Sequence, residues 1–114
     1  MAFSGSCHCG NIRFEVVDTL ASVTECNCSH CSRKGYLLWF VPRSAVSLKC
    51  PPESLGPYTF NKHFIKHHFC PKCGCVPLGF GASKGFETAA INVRCLEDVD
   101  LSRLERKFFD GRAL

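Results

Sequence analysis

Three cysteines fall within six residues at Cys26-Asn27-Cys28-Ser29-His30-Cys31, and two further groups lie on either side: Cys7-His8-Cys9-Gly10 and Cys70-Pro71-Lys72-Cys73-Gly74. Thiolates at such spacing are strong ligands for zinc, because two or three sulfurs on one short turn converge on a point. In an extended chain residues i and i+2 project to the same side, so Cys7 and Cys9 can grip one ion together. In Cys-x-x-Cys-Gly a tight turn sets both sulfurs on one side, and the glycine tolerates a positive φ. The outer pairs, Cys7/Cys9 and Cys70/Cys73, therefore read as one closed tetrahedral zinc site of the structural kind.

The middle group offers three ligands. Structural zinc takes four protein ligands, whereas catalytic zinc keeps three and leaves the fourth place to water or substrate. Seven clustered cysteines divide naturally into four plus three. On residues alone a second arrangement stays open, in which the triad is closed by His30 or by Cys50, Cys75 or Cys95. Those three single cysteines otherwise read as ordinary buried or loop thiols.

Ten cysteines could instead make five disulfides. The opening MAFSGSCHCG has no basic segment followed by an apolar one, as a secretory signal would. The expected compartment is then the reducing cytoplasm, where clustered thiols bind metal more often than they pair. At 114 residues the chain is expected to form a single domain over 1–114. A net charge of +4 with scattered Lys and Arg argues against nucleic acid and suits a small anionic ligand. No apolar stretch reaches the 18 residues or so of a membrane span.

The elements that must position these thiols are mostly strands. In residues 11–17, Ile12, Phe14 and Val16 alternate with Arg13 and Glu15, a half-buried strand. Residues 36–41 (YLLWFV) form a continuous apolar run consistent with a central strand, and residues 50–57 are turn and loop punctuation. Short strands are expected at 58–60, 64–69, 76–80 and 86–93, with a turn over 81–85. On a strand His63 and His67 share a face, opposite His68. The expected helix runs from 100 to 109, capped by Asp98 or Asp100 and ended by Gly111, with Leu101, Leu104 and Phe108 on one stripe. The fold class is thus mainly β, a small zinc domain with a short C-terminal helix. Arg13, Arg33, Lys34 and Arg94 are the cationic candidates for a substrate carboxylate.

The pattern resembles the family of glutathione-dependent formaldehyde-activating enzymes, which also contains centromere protein V. The matching stretches are GSCHCGNIRFEV, CNCSHCSRKG, YTF, HHFCPKCG and INVRCLEDVD…FFDGR, in order over nearly the whole chain. The resemblance implies a β-tent fold and two zinc ions per chain. Cys7, Cys9, Cys70 and Cys73 would hold the structural ion, and Cys26, Cys28 and Cys31 the catalytic one. It also implies that His67 assists the catalytic site; His63 looks like a family position and His68 does not. The implied reaction is a carbon–sulfur lyase type of chemistry, making or breaking S-(hydroxymethyl)glutathione from glutathione and formaldehyde. A thiol beside zinc ionises at neutral pH and becomes a nucleophile. Two other classes compete: a non-catalytic zinc module that binds protein or nucleic acid, and a redox sensor using the triad as an exchangeable dithiol. The chain lacks the longer insertions of some family members, and Cys75 is not an expected ligand.

Overall fold

The computed structural model describes residues 2–59, 65–83 and 86–110. Two sheets carry the architecture. Strands β1 (Ala2–Ser6), β2 (Arg13–Val17) and β5 (Val46–Leu48) make an antiparallel three-stranded sheet in the order β1-β2-β5. The larger sheet contains β3 (Ser22–Cys26), β4 (Leu38–Pro42), β6 (Gly56–Tyr58), β7 (Ile65–Phe69), β8 (Leu78–Ser83), β9 (Phe86–Asn92) and β10 (Glu105–Phe109). Its order is β10-β3-β4-β9-β8-β7-β6, antiparallel except for the parallel β10–β3 pair.

The main core lies between the sheets and follows from strand alternation. Phe14, Val16 and Val46 come from the small sheet; Val23, Trp39, Val41, Leu78, Ala89 and Ile91 come from the large one. Ile12, Phe14 and Val16 are all buried, as the alternation in residues 11–17 predicts. Residues 36–41 are apolar on both faces for a reason. Trp39 and Val41 enter the main core, whereas Leu38 joins a second buried cluster with Cys31, Tyr36, Val76 and Ala90. That second face is covered by α1 (Ser29–Lys34), the α-helix among the described residues. Where a strand is buried on both faces it has no polar side to show, although Phe40, beyond the cover of α1, is 49% exposed.

The C-terminal helix is shorter than the stripe of leucines suggests. Asp100 does cap a turn, its carboxylate accepting from the Ser102 N–H at 3.1 Å, but only Leu101–Arg103 is helical, as one 3-10 turn. Residues 105–109 are strand β10, paired along its length with β3. Leu101 and Leu104 pack on the main core while Phe108 is 71% exposed, so the three never share a buried stripe. Pairing with β3 satisfies five residues of backbone that a lone two-turn helix, marginal in water, would not stabilise. The turn expected over 81–85 is narrower, since β8 runs on to Ser83 opposite Phe86. His63 and Gly111 lie outside the described residues.

One close approach shapes the site. Phe69 crosses over Gly56 on the neighbouring strand, so that a Cβ on Gly56 would stand 2.6 Å from the ring. Gly56→Ala must therefore push the ring aside and is expected to cost about 1–3 kcal/mol. Chemical denaturation checks this; an unchanged midpoint would contradict the packing.

Candidate functional site

Two sulfur clusters form. Cys7, Cys9, Cys70 and Cys73 bring their Sγ atoms within 4.8 Å of one another, as do Cys26, Cys28 and Cys31. In the first, Cys7 and Cys9 come from the turn after β1, and Cys70 and Cys73 from the turn after β7. Both turns are closed by a glycine at φ +82°, Gly10 and Gly74. Cys7–Cys9 and Cys9–Cys70 sulfur separations are 3.7 and 3.6 Å. Sulfurs 2.3 Å from one zinc at tetrahedral corners lie about 3.8 Å apart, so the spacing fits that ion.

Backbone N–H groups aim at these sulfurs. Ile12 donates to Cys7 at 3.3 Å, and Lys72 and Cys73 donate to Cys70 at 3.4 Å each. Burial pushes the Cys70 thiol up, but these donors outweigh it and the net shift is down. The Cys73 thiol is lowered to about 5, chiefly by the N–H groups of Cys75 and Cys9. Such donors favour thiolates at Cys70 and Cys73. At Cys9 the Asn11 N–H is outweighed by burial and by the Cys70, Cys7 and Cys73 sulfurs, which push that thiol up to about 11. Four thiolates in one place require a cation to offset their repulsion. The donor set fits structural zinc.

The triad is built at a strand-to-helix corner. Cys26 ends β3, Cys28 is the N-cap of α1, and Cys31 lies in its first turn. The Cys28 sulfur takes the usual role of a capping oxygen, accepting from the Cys31 N–H at 3.3 Å. Cys26 accepts from the Cys28 N–H at 3.4 Å. Gly35, in the left-handed conformation, ends the helix. The C-terminal strand holds this corner in place: Asn27 N–H donates to the Phe109 carbonyl at 3.3 Å, and its side chain to Asp110 at 2.9 Å. Burial opposes ionisation of Cys28, yet the donors from Cys31 and its neighbours lower it on balance. Burial, then the Cys28 and Cys26 sulfurs, push the Cys31 thiol up. A cation among the three would relieve that penalty. Among the described residues no fourth His, Cys, Asp or Glu ligand atom joins the group. His30 turns elsewhere, and Cys50 and Cys75 pack beside the four-cysteine cluster instead.

A cavity of about 420 Å³ adjoins the triad, lined by His30, Lys34, Tyr58, His67, Phe69, Gly74 and Val76. Val76 and Phe69 belong to the same apolar cluster as the triad cysteines, and His30 comes from the triad's own loop, so the cavity wall and the three sulfurs share neighbours. Cross-strand pairing places two of its walls: opposite residues in an antiparallel ladder share a face, and Tyr58 on β6 stands opposite His67 on β7.

Rings crowd one wall. His30 lies 4.5 Å from His67, 5.3 Å from Tyr58 and 5.4 Å from Tyr36, centroid to centroid, and Tyr36 is nearly parallel to His67. His67 is buried; burial, then the His30 and His68 charges, lower its imidazole to about 4. Burial and then Lys34 lower His30 too. The Tyr36 hydroxyl is buried with no hydrogen-bond partner among the described residues, an arrangement that is costly and uncommon outside functional sites. His68 faces the other side of the sheet against Phe80. Sequence reasoning placed Tyr36 merely at the start of a strand and Tyr58 within a matched stretch. Their aromatic character next to the triad was the available signal.

The two clusters predict different consequences of losing one ligand. Cys73→Ser should leave the chain unfolded or insoluble, because metal binding of about 10 kcal/mol is comparable with the whole stability of a domain. Cys28→Ser should remain folded and carry one metal fewer. Equal thermal destabilisation of both, read by circular dichroism alongside metal content, would contradict the division.

The family model described as "Glutathione-dependent formaldehyde-activating enzyme" matches residues 2–110. Among solved structures, that of a Rhodobacter sphaeroides protein is similar to this chain at a TM-score of 0.76 and 28% identity, with 94% of this chain and 100% of the other covered. With nearly its whole length matched and two cysteine clusters assembled as the motifs require, this chain belongs to the glutathione-dependent formaldehyde-activating enzyme family.

Proposed function

We propose that the chain is a zinc-dependent carbon–sulfur lyase that makes or breaks a glutathione–aldehyde adduct such as S-(hydroxymethyl)glutathione. The observation that carries this reading is a group of three cysteines, without a fourth ligand among the described residues, beside a cavity with ionisable walls. Family membership supplies the substrate class: glutathione and formaldehyde. Cys26, Cys28 and Cys31 would hold the catalytic ion and Cys7, Cys9, Cys70 and Cys73 the structural one, two zinc ions per chain. The two-sheet architecture, fastened at the four-cysteine junction, is read as a β-tent.

Zinc held by Cys26, Cys28 and Cys31 would favour the thiolate form of a substrate thiol that binds it directly. The chain's own residues do the rest. In the forward direction the sulfur–carbon bond forms as the carbonyl π-bond breaks, and the thiol proton ends on the new hydroxyl oxygen. His67 is the candidate to carry that proton. Burial lowers its imidazole to about 4, against 6.5 in an unfolded chain, so it is neutral at physiological pH and a weak base, suited to passing a proton on within the step and not to holding it. The folded state then binds fewer protons between those values, and stability falls as pH drops through that window. Tyr36 and Tyr58 narrow the space around His30 and His67 and keep water from them.

A second reading, a non-catalytic module for protein or nucleic acid, draws on one observation. Edge strand β10 exposes Arg106, Lys107, Phe108 and Phe109 side by side, the basic and aromatic mix that such partners use.

Exchange NMR separates the readings, and two further measurements test the role given to His67. Exchange NMR on a glutathione and formaldehyde mixture should show adduct interconversion accelerated by the wild type and not by Cys28→Ser; no acceleration by metal-loaded wild type would leave the binding module. His67→Gln should keep its metal and lose about 10–100-fold in rate. Imidazole NMR should find His67 uncharged from about pH 5 upward, and a protonation midpoint near neutrality would contradict its placement.

A further inference from the structure

Four cations could meet a carboxylate, and three are engaged elsewhere. Arg13 donates to the Lys49 carbonyl at 3.2 Å, Arg33 to the Ser29 carbonyl at 2.7 Å, and Arg94 to the Gly35 carbonyl at 3.1 Å. Lys34 makes no hydrogen bond or ion pair among the described residues, and it is the cation among the four that lines the cavity. It is exposed at the rim, while the rest of the wall is two imidazoles, two aromatic rings, a valine and a glycine.

Position along α1 turns this into a ruler. Lys34 follows Cys31 by three residues and His30 by four, so it sits on the helix face that His30 presents, about one turn from the triad. The rise between Cys31 and Lys34 is about 4.5 Å, and the lysine side chain adds a reach of similar size. In a cysteine-containing peptide the next residue's Cα lies about 3.8 Å beyond the cysteine Cα, with its carboxylate just past that. Sulfur at the triad and a carboxylate one residue on at Lys34 can therefore be met together. Arg94, held on the Gly35 carbonyl, keeps the same helix end cationic.

The geometry points to Lys34 as the residue that selects the thiol substrate, by pairing with a free carboxylate on the residue that follows the sulfur-bearing one. This rests on the lyase reading and sharpens it: the site takes a carboxylate-bearing peptide thiol in preference to a neutral one. For glutathione the group engaged is the glycine carboxylate, and the γ-glutamyl end extends away from α1. An exposed pair of this kind is modest in strength and screened by salt, so it sets preference among thiols and leaves the chemical step to other residues.

The test uses metal-loaded full chain and two probes, glutathione and its ester blocked at the glycine carboxylate, titrated by NMR with binding read directly. Wild type is expected to bind the acid about 3–10-fold more tightly than the ester, with the difference shrinking in high salt. Lys34→Glu should abolish or invert that preference while its binding of the ester stays close to that of wild type, which also reports intact folding. A preference that survives in Lys34→Glu, or its absence in a wild type that binds both probes, overturns the assignment and leaves the lyase reading standing. A wild type that binds neither probe overturns both.

Discussion

Electrostatic repulsion among clustered thiols is the constraint on which the rest of this molecule depends. Four sulfurs from two distant turns converge at one end of the sheets, Cys7 and Cys70 almost wholly buried. Backbone N–H groups around them favour the ionised forms, and ionised sulfurs at these separations repel unless a cation lies between them. Satisfying that demand fastens the turn after β1 to the turn after β7. It thereby fixes the small sheet against the strands that carry His67 and Phe69. A bridge between Gly5 and Leu96 and a hydrogen bond from Glu97 to Ser4 add to the junction, but neither carries its charge logic.

The triad repeats the same theme with one ligand fewer and a different mounting. One of its sulfurs, that of Cys28, caps a helix of only six residues, so the sulfur cluster and the helix start are one structure. The C-terminal strand closes over it through Asn27. Cavity, the His30 and His67 imidazoles and the rim lysine all lie to one side of that corner. The arrangement separates tasks: one cluster is surrounded by its own turns, whereas the other borders a space large enough for part of a small peptide.

The parts of this design that were legible in the sequence are those with strong local grammar. Cysteine spacing announced both clusters, helped at the four-cysteine one by a following glycine, because few other functions need two or three thiols on one turn. Alternation at Ile12, Phe14 and Val16 announced β2. The misreading at residues 100–109 came from leucines at helical spacing, where Leu101 and Leu104 are drawn to the core by a 3-10 turn and β10 by pairing with β3. Helix α1 left no periodic trace in six residues, and its cap is a cysteine in place of the customary Ser, Thr, Asp or Asn. The cavity was illegible for another reason: its walls come from α1, β6, β7 and the segment after β7, and which of their residues face one another is a property of pairing and packing.

The central claim is that the three-cysteine centre keeps a coordination position for a substrate thiol while the four-cysteine centre does not. Cobalt substitution followed by visible spectroscopy tests it most directly, since tetrahedral cobalt–thiolate bands respond to a change of ligand. The account predicts two cobalt ions per chain, with glutathione perturbing the bands of one and leaving the other unchanged, and no response remaining in Cys28→Ser. A spectrum indifferent to glutathione with both ions bound would mean a closed triad, and the claim would fall.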